Sequence, residues 1–263
     1  MIIDSITHIT PDGSWFGTNY DARESTLLRQ MDEACIDRAF VVGLPEVAPN
    51  DFILEACKRN STRLIPVGSF NPISCHDEMA VMERARCEFK DHGFAGIKLH
   101  PRFHRYNILD RRVQSLFDEF STWDSPPVIW LCTFFYYNGG VLPKSPVEMI
   151  HEVVGRYPNL KFILLHGGGP DLLRLAFALR DTPNAYLDLS YTMCKYRASS
   201  VESDIRYLLS TFDRRMVFGS DFPEINLKQA VTDFEDLSIQ SPPHVRENVL
   251  SKNLITLFGK DKF

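Results

Sequence analysis

A single (β/α)8 barrel is the fold this sequence predicts, and three observations predict it. Eight short runs rich in Val, Ile, Leu and Phe alternate with helical patterns, the signature of βα units around a parallel sheet. The chain has 263 residues, close to the roughly 250 that such a barrel typically takes. No linker, low-complexity tract or shift in composition divides residues 1–263 into two domains, and the βα alternation is the sole repeat.

The elements run in order along the chain. A strand over 1–9 opens it, then come "RAFVVGL" (38–44), "RLIPVGSF" (63–70) and "AGIKLHP" (95–101). The second half supplies "PVIWLCTFF" (127–135), "LKFILLHG" (160–167), "AYLDLS" (185–190) and "RMVFGSDFP" (215–223). Between them lie helical faces. Val113, Leu116, Phe117 and Phe120 recur at i, i+3, i+4 and i+7, as do Leu172, Ala176 and Leu179 at i, i+4 and i+7. Ser145 with Glu148, and Ser199 with Glu202, have capping-box spacing, and Pro146 occupies a first helical position. The segment 244–259 reads as a closing helix capped by Gly259.

Composition narrows the function. Net charge is −5 and no Lys/Arg run exceeds a pair, which disfavours nucleic acid and anionic membrane as partners. No apolar run reaches the roughly 18–20 residues that span a bilayer. The cysteines (35, 57, 75, 87, 132 and 194) show no C-x-x-C spacing and read as reduced thiols of a cytoplasmic protein. The chain starts directly on a strand with no basic stretch before it, so no signal peptide is expected. A small-molecule substrate is the expected partner.

Parallel strands covered on both faces should be almost wholly apolar. The exceptions sit at the C-terminal ends of strands, where barrel active sites are built: Asp4, His8, Lys98, His100, His166, Asp188 and Asp221. In "LLHGGGPDLL", His166 precedes three glycines and a helix, a turn that lets backbone approach a ligand closely and offers N–H groups to an anion. In "VFGSDFP", Asp221 is a strand-end carboxylate able to activate water or hold a metal. In "GIKLHPRFH", period-two spacing turns Lys98 and His100 to one side, with Arg102 just beyond. A buried lysine there should meet an aspartate or a substrate anion. Asp188 either orients a catalytic group or pairs with a cation. His104 and Arg105 fall in the loop after it without a role, and His76, His92, His151 and His244 read as surface or helix-cap residues.

Taken together, "MIIDSITH", "GIKLHPRF", "LLHGGG", "FGSDFP" and "NVLSKNLITLFG" resemble the amidohydrolase-related family of the amidohydrolase superfamily, the group of aminocarboxymuconate-semialdehyde decarboxylase. They span the chain in that family's order. The resemblance implies a divalent metal, usually zinc, on a His-x-His pair after strand 1, a histidine after strand 5 and an aspartate after strand 8. It also implies an acid/base histidine in the HGGG turn. His8, Asp221 and His166 match the second histidine of the pair, the aspartate and the HGGG histidine, and are the tentative metal set here. Ile6 stands where the first histidine of the pair belongs, and the strand-5 position falls on Leu131 or Cys132. Only one of those two can face inward, and the spacing leaves open which.

Tight zinc is therefore not expected, and the leading expectation is no resident cofactor. Some members of the superfamily hydrolyse lactones without metal, a scheme in which Asp221 and His166 are catalytic. Lys98, His100, Arg102 and His8 then bind substrate and supply charge or hydrogen bonds. The alternatives are a metal-dependent decarboxylase or hydrolase with an atypical ligand set, and a barrel that binds ligand without turnover. The aromatic stretch 134–140 suits a pocket wall, a contact in a homo-oligomer, or both.

Overall fold

The computed structural model describes residues 1–135 and 142–263. Eight strands form one parallel sheet in sequence order. They are β1 (Ile3–Thr7), β2 (Arg38–Val42), β3 (Leu64–Ser69), β4 (Gly96–Leu99), β5 (Val128–Cys132), β6 (Phe162–Leu165), β7 (Ala185–Asp188) and β8 (Met216–Val217). Each lies within the run expected for it. The last is short because the chain after Val217 leaves β7 and meets β1 instead. Ser5 N donates to Phe218 O at 3.0 Å, His8 N to Phe222 O at 2.8 Å and Asp221 N to Ile6 O at 3.1 Å. That seam closes the (β/α)8 barrel.

Alternation along the strands sorts the core into two layers. Phe40, Val42, Ile65, Val67, Trp130, Cys132, Ile163 and Leu165 fill the barrel interior, with Phe258 packed against them. Val41, Leu99, Ile129, Leu131 and Leu164 face the helical shell. Cys132 is thus the inward residue of strand 5 and Leu131 the outward one. Gly96 leaves room for the largest interior side chain, since a Cβ there would lie 2.3 Å from the Trp130 ring.

β1 carries a bulge. From Asp4 to Thr7 it advances three residues while β2 advances two, from Ala39 to Val41. An extra residue of this kind bends a strand and re-aims the side chains beyond it. Asp4 holds the bulge, its Oδ1 accepting from Ile6 N at 3.1 Å and from Ser220 N across the seam at 2.9 Å. Trp130 Nε1 donates to the Ser5 carbonyl at 2.9 Å.

The helices agree with their signals, with two refinements. Arg111–Ser121 and Leu172–Ala178 bury the expected faces. Ser145 and Glu148 form a reciprocal capping box. Ser199 caps Val201 N, whereas Glu202 reaches back one residue further, to Ala198 N at 2.9 Å. The closing helix is interrupted by a π turn at Asn248–Lys252 and ends before Gly259, whose φ is 82°. Among the described residues no helix is long and apolar enough to cross a membrane.

Candidate active site

A cleft of about 500 Å³ opens at the C-terminal ends of the strands, and all six candidate side chains line it: His8, Lys98, His100, Arg102, His166 and Asp221. A depression of about 440 Å³ elsewhere, lined by Arg38, Cys57 and Lys58, contains none of them. Among the described residues eight non-glycine residues have a left-handed backbone, and four of these (Phe16, Arg105, His166 and Asp221) line this one cleft. Such conformations cost energy and gather where a side chain must be aimed.

On the β1–β8 side, the bulge sends His8 across the barrel mouth. Its Nδ1 donates to the Val42 carbonyl at 2.6 Å, which leaves the Nε2 lone pair free to accept. Lys98 Nζ lies 3.0 Å from that nitrogen and Asp221 Oδ1 lies 3.8 Å from it. The indole of Trp15 stacks on the imidazole at 5.1 Å and is anchored through Nε1 to Glu224 Oε1 at 3.1 Å. Burial, and then the Lys98 charge, hold His8 well below the usual histidine range. It is neutral and serves as a hydrogen-bond acceptor, the second of the two ways, charge or hydrogen bonds, in which it was expected to act. Burial pushes the Asp221 carboxyl up to about 6, opposed by Lys98. The same burial lowers Lys98, opposed chiefly by Asp221. Among the described residues the Asp221 carboxylate accepts no hydrogen bond from the protein, so its oxygens are open to a ligand or water.

On the β6–β7 side, His166 is set by a relay. Its Nδ1 lies 3.0 Å from Ser190 Oγ, and that hydroxyl donates in turn to Asp188 Oδ1. The relay fixes the proton on Nδ1 and leaves Nε2 as an acceptor. Asp188 Oδ1 also takes the backbone N–H groups of His166 and Ser190, each at 3.1 Å, while Oδ2 takes the Ser5 hydroxyl. A Cβ at Gly219 would lie 2.3 Å from Asp188 Oδ2, so glycine there admits the carboxylate. Burial lowers His166 to about 4 against the pull of Asp188. Asp188 is thus an orienting group, one of the two readings left open for it. The HGGG turn is not simply an anion nest. Gly168 N already donates to Thr133 Oγ1 at 2.9 Å, and a Cβ at Gly169 would lie 2.6 Å from the Phe134 ring. Phe134 stacks on His166 at 4.8 Å. Of the aromatic stretch 134–140, residues 136–140 lie outside the described residues.

The loop after β4 forms the rim. His100 caps the short helix Pro101–His104, with Nδ1 accepting from Phe103 N at 3.4 Å, and burial keeps it well below the usual histidine range. Arg102 and Arg105 bring two exposed guanidiniums to the cleft, so Arg105 has a place at the site that its loop position did not disclose. His104 turns away and pairs with Glu46 at 3.1 Å. His76, His92, His151 and His244 are exposed, as expected.

The donor set does not fit a divalent metal. Ile6 is wholly buried in the interior apolar layer. The His8 lone pair is taken by Lys98. Cys132 faces inward, but burial pushes its thiol up to about 11. Among the described residues no three His, Cys, Asp or Glu side chains form a group able to hold a metal, so His8, Asp221 and His166 share a cleft without forming one ligand set.

Comparison with known proteins gives the family and the fold. The amidohydrolase family profile matches residues 29–260. No curated protein matches the sequence. Among solved structures, the chain is similar to an uncharacterized TIM-barrel protein from Bordetella bronchiseptica, at 21% identity and TM-score 0.77, covering 97% of each chain. It is also similar to a probable 2-pyrone-4,6-dicarboxylic acid hydrolase from Acinetobacter baumannii with citric acid bound, at 17% identity and TM-score 0.69, covering 98% of this chain and 99% of that one. A third is 5-carboxyvanillate decarboxylase from Novosphingobium aromaticivorans, complexed with manganese and a nitrobenzoic acid. It shares 13% identity at TM-score 0.72, with 98% of this chain and 96% of that one covered. At these identities the likeness concerns the fold.

Proposed function

The chain belongs to the amidohydrolase family, and from that premise we propose that it hydrolyses a small, carboxylate-bearing ester, lactone or amide with weak or no dependence on metal. The observation that carries the reading is Asp221: a buried carboxylate on a left-handed backbone, open to the cleft and facing a buried ammonium. A water held by Asp221 attacks the carbonyl carbon as the carboxylate takes its proton. Lys98 stabilises the oxyanion that develops. The tetrahedral intermediate collapses, and the leaving alkoxide or amine recovers a proton from Asp221. The Nε2 lone pair of His166 holds the water or a substrate hydroxyl in place. Arg102 and Arg105 suit a substrate carboxylate, which a planar guanidinium grips with two parallel hydrogen bonds. The six free cysteines accord with a reducing compartment such as the cytoplasm.

A panel of carboxylated lactones, esters and amides tests the reading, with aromatic carboxylates included to detect release of carbon dioxide instead. On an accepted substrate, Asp221→Asn should lose about 10²–10⁴ in kcat while still binding ligand. In the wild type, kcat/KM should fall as pH drops through about 6, where the carboxylate takes up a proton. Full turnover by the asparagine variant would sink the assignment of the base. A protein that binds panel members yet turns over none would be the silent barrel.

A further inference from the structure

We propose that Lys98 is the resident cation of this site: its ammonium occupies the lone pair that a metal ion would need and takes over that ion's polarising role. The polarising half rests on the hydrolase reading above; the metal-excluding half stands without it.

The argument is geometric. A carbonyl oxygen only accepts, so the 2.6 Å contact of His8 Nδ1 with Val42 O places the imidazole proton on Nδ1. Nε2 is then the sole lone pair of that ring. Lys98 Nζ has three donors and no acceptor in its ammonium form, and it points one of them at Nε2 from 3.0 Å. A metal–imidazole bond of about 2.0–2.1 Å needs the same lone pair. Two cations cannot share it.

The surroundings fix the ammonium there. Lys98 sits mid-ladder on β4, registered with Ser69 on β3 and Trp130 on β5, so its stem is placed by two neighbouring strands. It is only 4% exposed, which demands compensation inside the protein. His8 supplies the hydrogen bond and Asp221 the opposite charge. Beyond these, the Cys132 thiol lies near the ammonium, and burial pushes it up to about 11. A divalent ion entering this space would meet an unremoved like charge. A substrate carbonyl oxygen, by contrast, finds a fixed ammonium hydrogen.

The test is metal binding by wild type, Lys98→Ala and Lys98→Arg, each dialysed with Zn²⁺ or Mn²⁺ and measured by elemental mass spectrometry and titration. Wild type and the arginine variant, which keep the cation, should retain substoichiometric metal. The alanine variant frees Nε2 and should bind at least about tenfold more tightly. Adding His8→Gln to it should abolish the gain. Should alanine fail to fold by circular dichroism, Lys98→Leu keeps the apolar stem and replaces it. A stoichiometric metal held by wild type overturns the proposal, as does a neutral variant with no gain, or a gain that survives loss of His8. If no panel compound is hydrolysed, the reaction reading fails while the metal titration still decides metal exclusion. On an accepted substrate, Lys98→Arg should retain more kcat than Lys98→Ala at similar KM; equal losses would overturn the polarising role.

Discussion

The two sides of the cleft are built to the same plan and finish differently. Each presents a buried histidine bonded through Nδ1, covered by an aromatic ring and supported by a buried aspartate. On the β1–β8 side the second ring nitrogen of His8 is spent on Lys98. On the β6–β7 side that of His166 meets no donor among the described residues. The aspartates differ in the same sense. Asp188 has both oxygens bonded, whereas Asp4 has Oδ2 buried without a partner among the described residues. What separates the two histidines here is therefore not burial or charge state, since both are neutral. It is whether the lone pair has already found a donor.

The comparison can be broken most sharply at His166. His166→Gln should lower kcat about 10²–10³ on any accepted substrate; retention of most activity would mean that both histidines are structural. A smaller effect is expected at the aspartates. Burial raises Asp4 to about 7 in the fold, above its ordinary value of 3.8. The folded state thus binds a proton that the unfolded chain releases. This contribution is complete below about pH 4 and lost as pH rises through about 7, on the order of 4 kcal/mol. Asp4→Asn mimics the protonated acid and should remove that part of the decline in denaturant melts between pH 5 and 7. An unchanged slope would show that Asp4 is ionised in the fold. The mildest test is Ser190→Ala, which breaks the relay without touching the cleft. Losing one orienting hydrogen bond should cost about tenfold in kcat with KM little changed. A shift confined to KM would count against the relay.

The barrel and the six principal site residues were legible because a parallel barrel leaves so few reasons for a polar residue at a strand end. His8, Lys98 and Asp221 stand out against Val, Ile and Phe, and tertiary structure then brings them together. The inward choice of Cys132 over Leu131 was not legible, because alternation fixes only their opposition and the ladder sets the phase. Ser190 and Gly219 escaped notice because each acts through Asp188, in contacts that cross from one strand end to another. Trp15, Glu224 and Arg105 come from loops, where no periodicity marks which side chain turns inward. The charge state of the histidines was not legible either: removal from water, not sequence context, makes His8 and His166 neutral.

The seam between β8 and β1 carries a further consequence. The backbone hydrogen bonds that join the ends of the cylinder belong to Ser5, Ile6, His8, Phe218, Asp221 and Phe222, and two of these, His8 and Asp221, lie side by side on one wall of the cleft. The joint of the wall and the working surface are thus one piece. Heat that loosened this short closure would part His8 from Asp221 while the surrounding helices were still wound, so catalytic competence would fade before the shell melted.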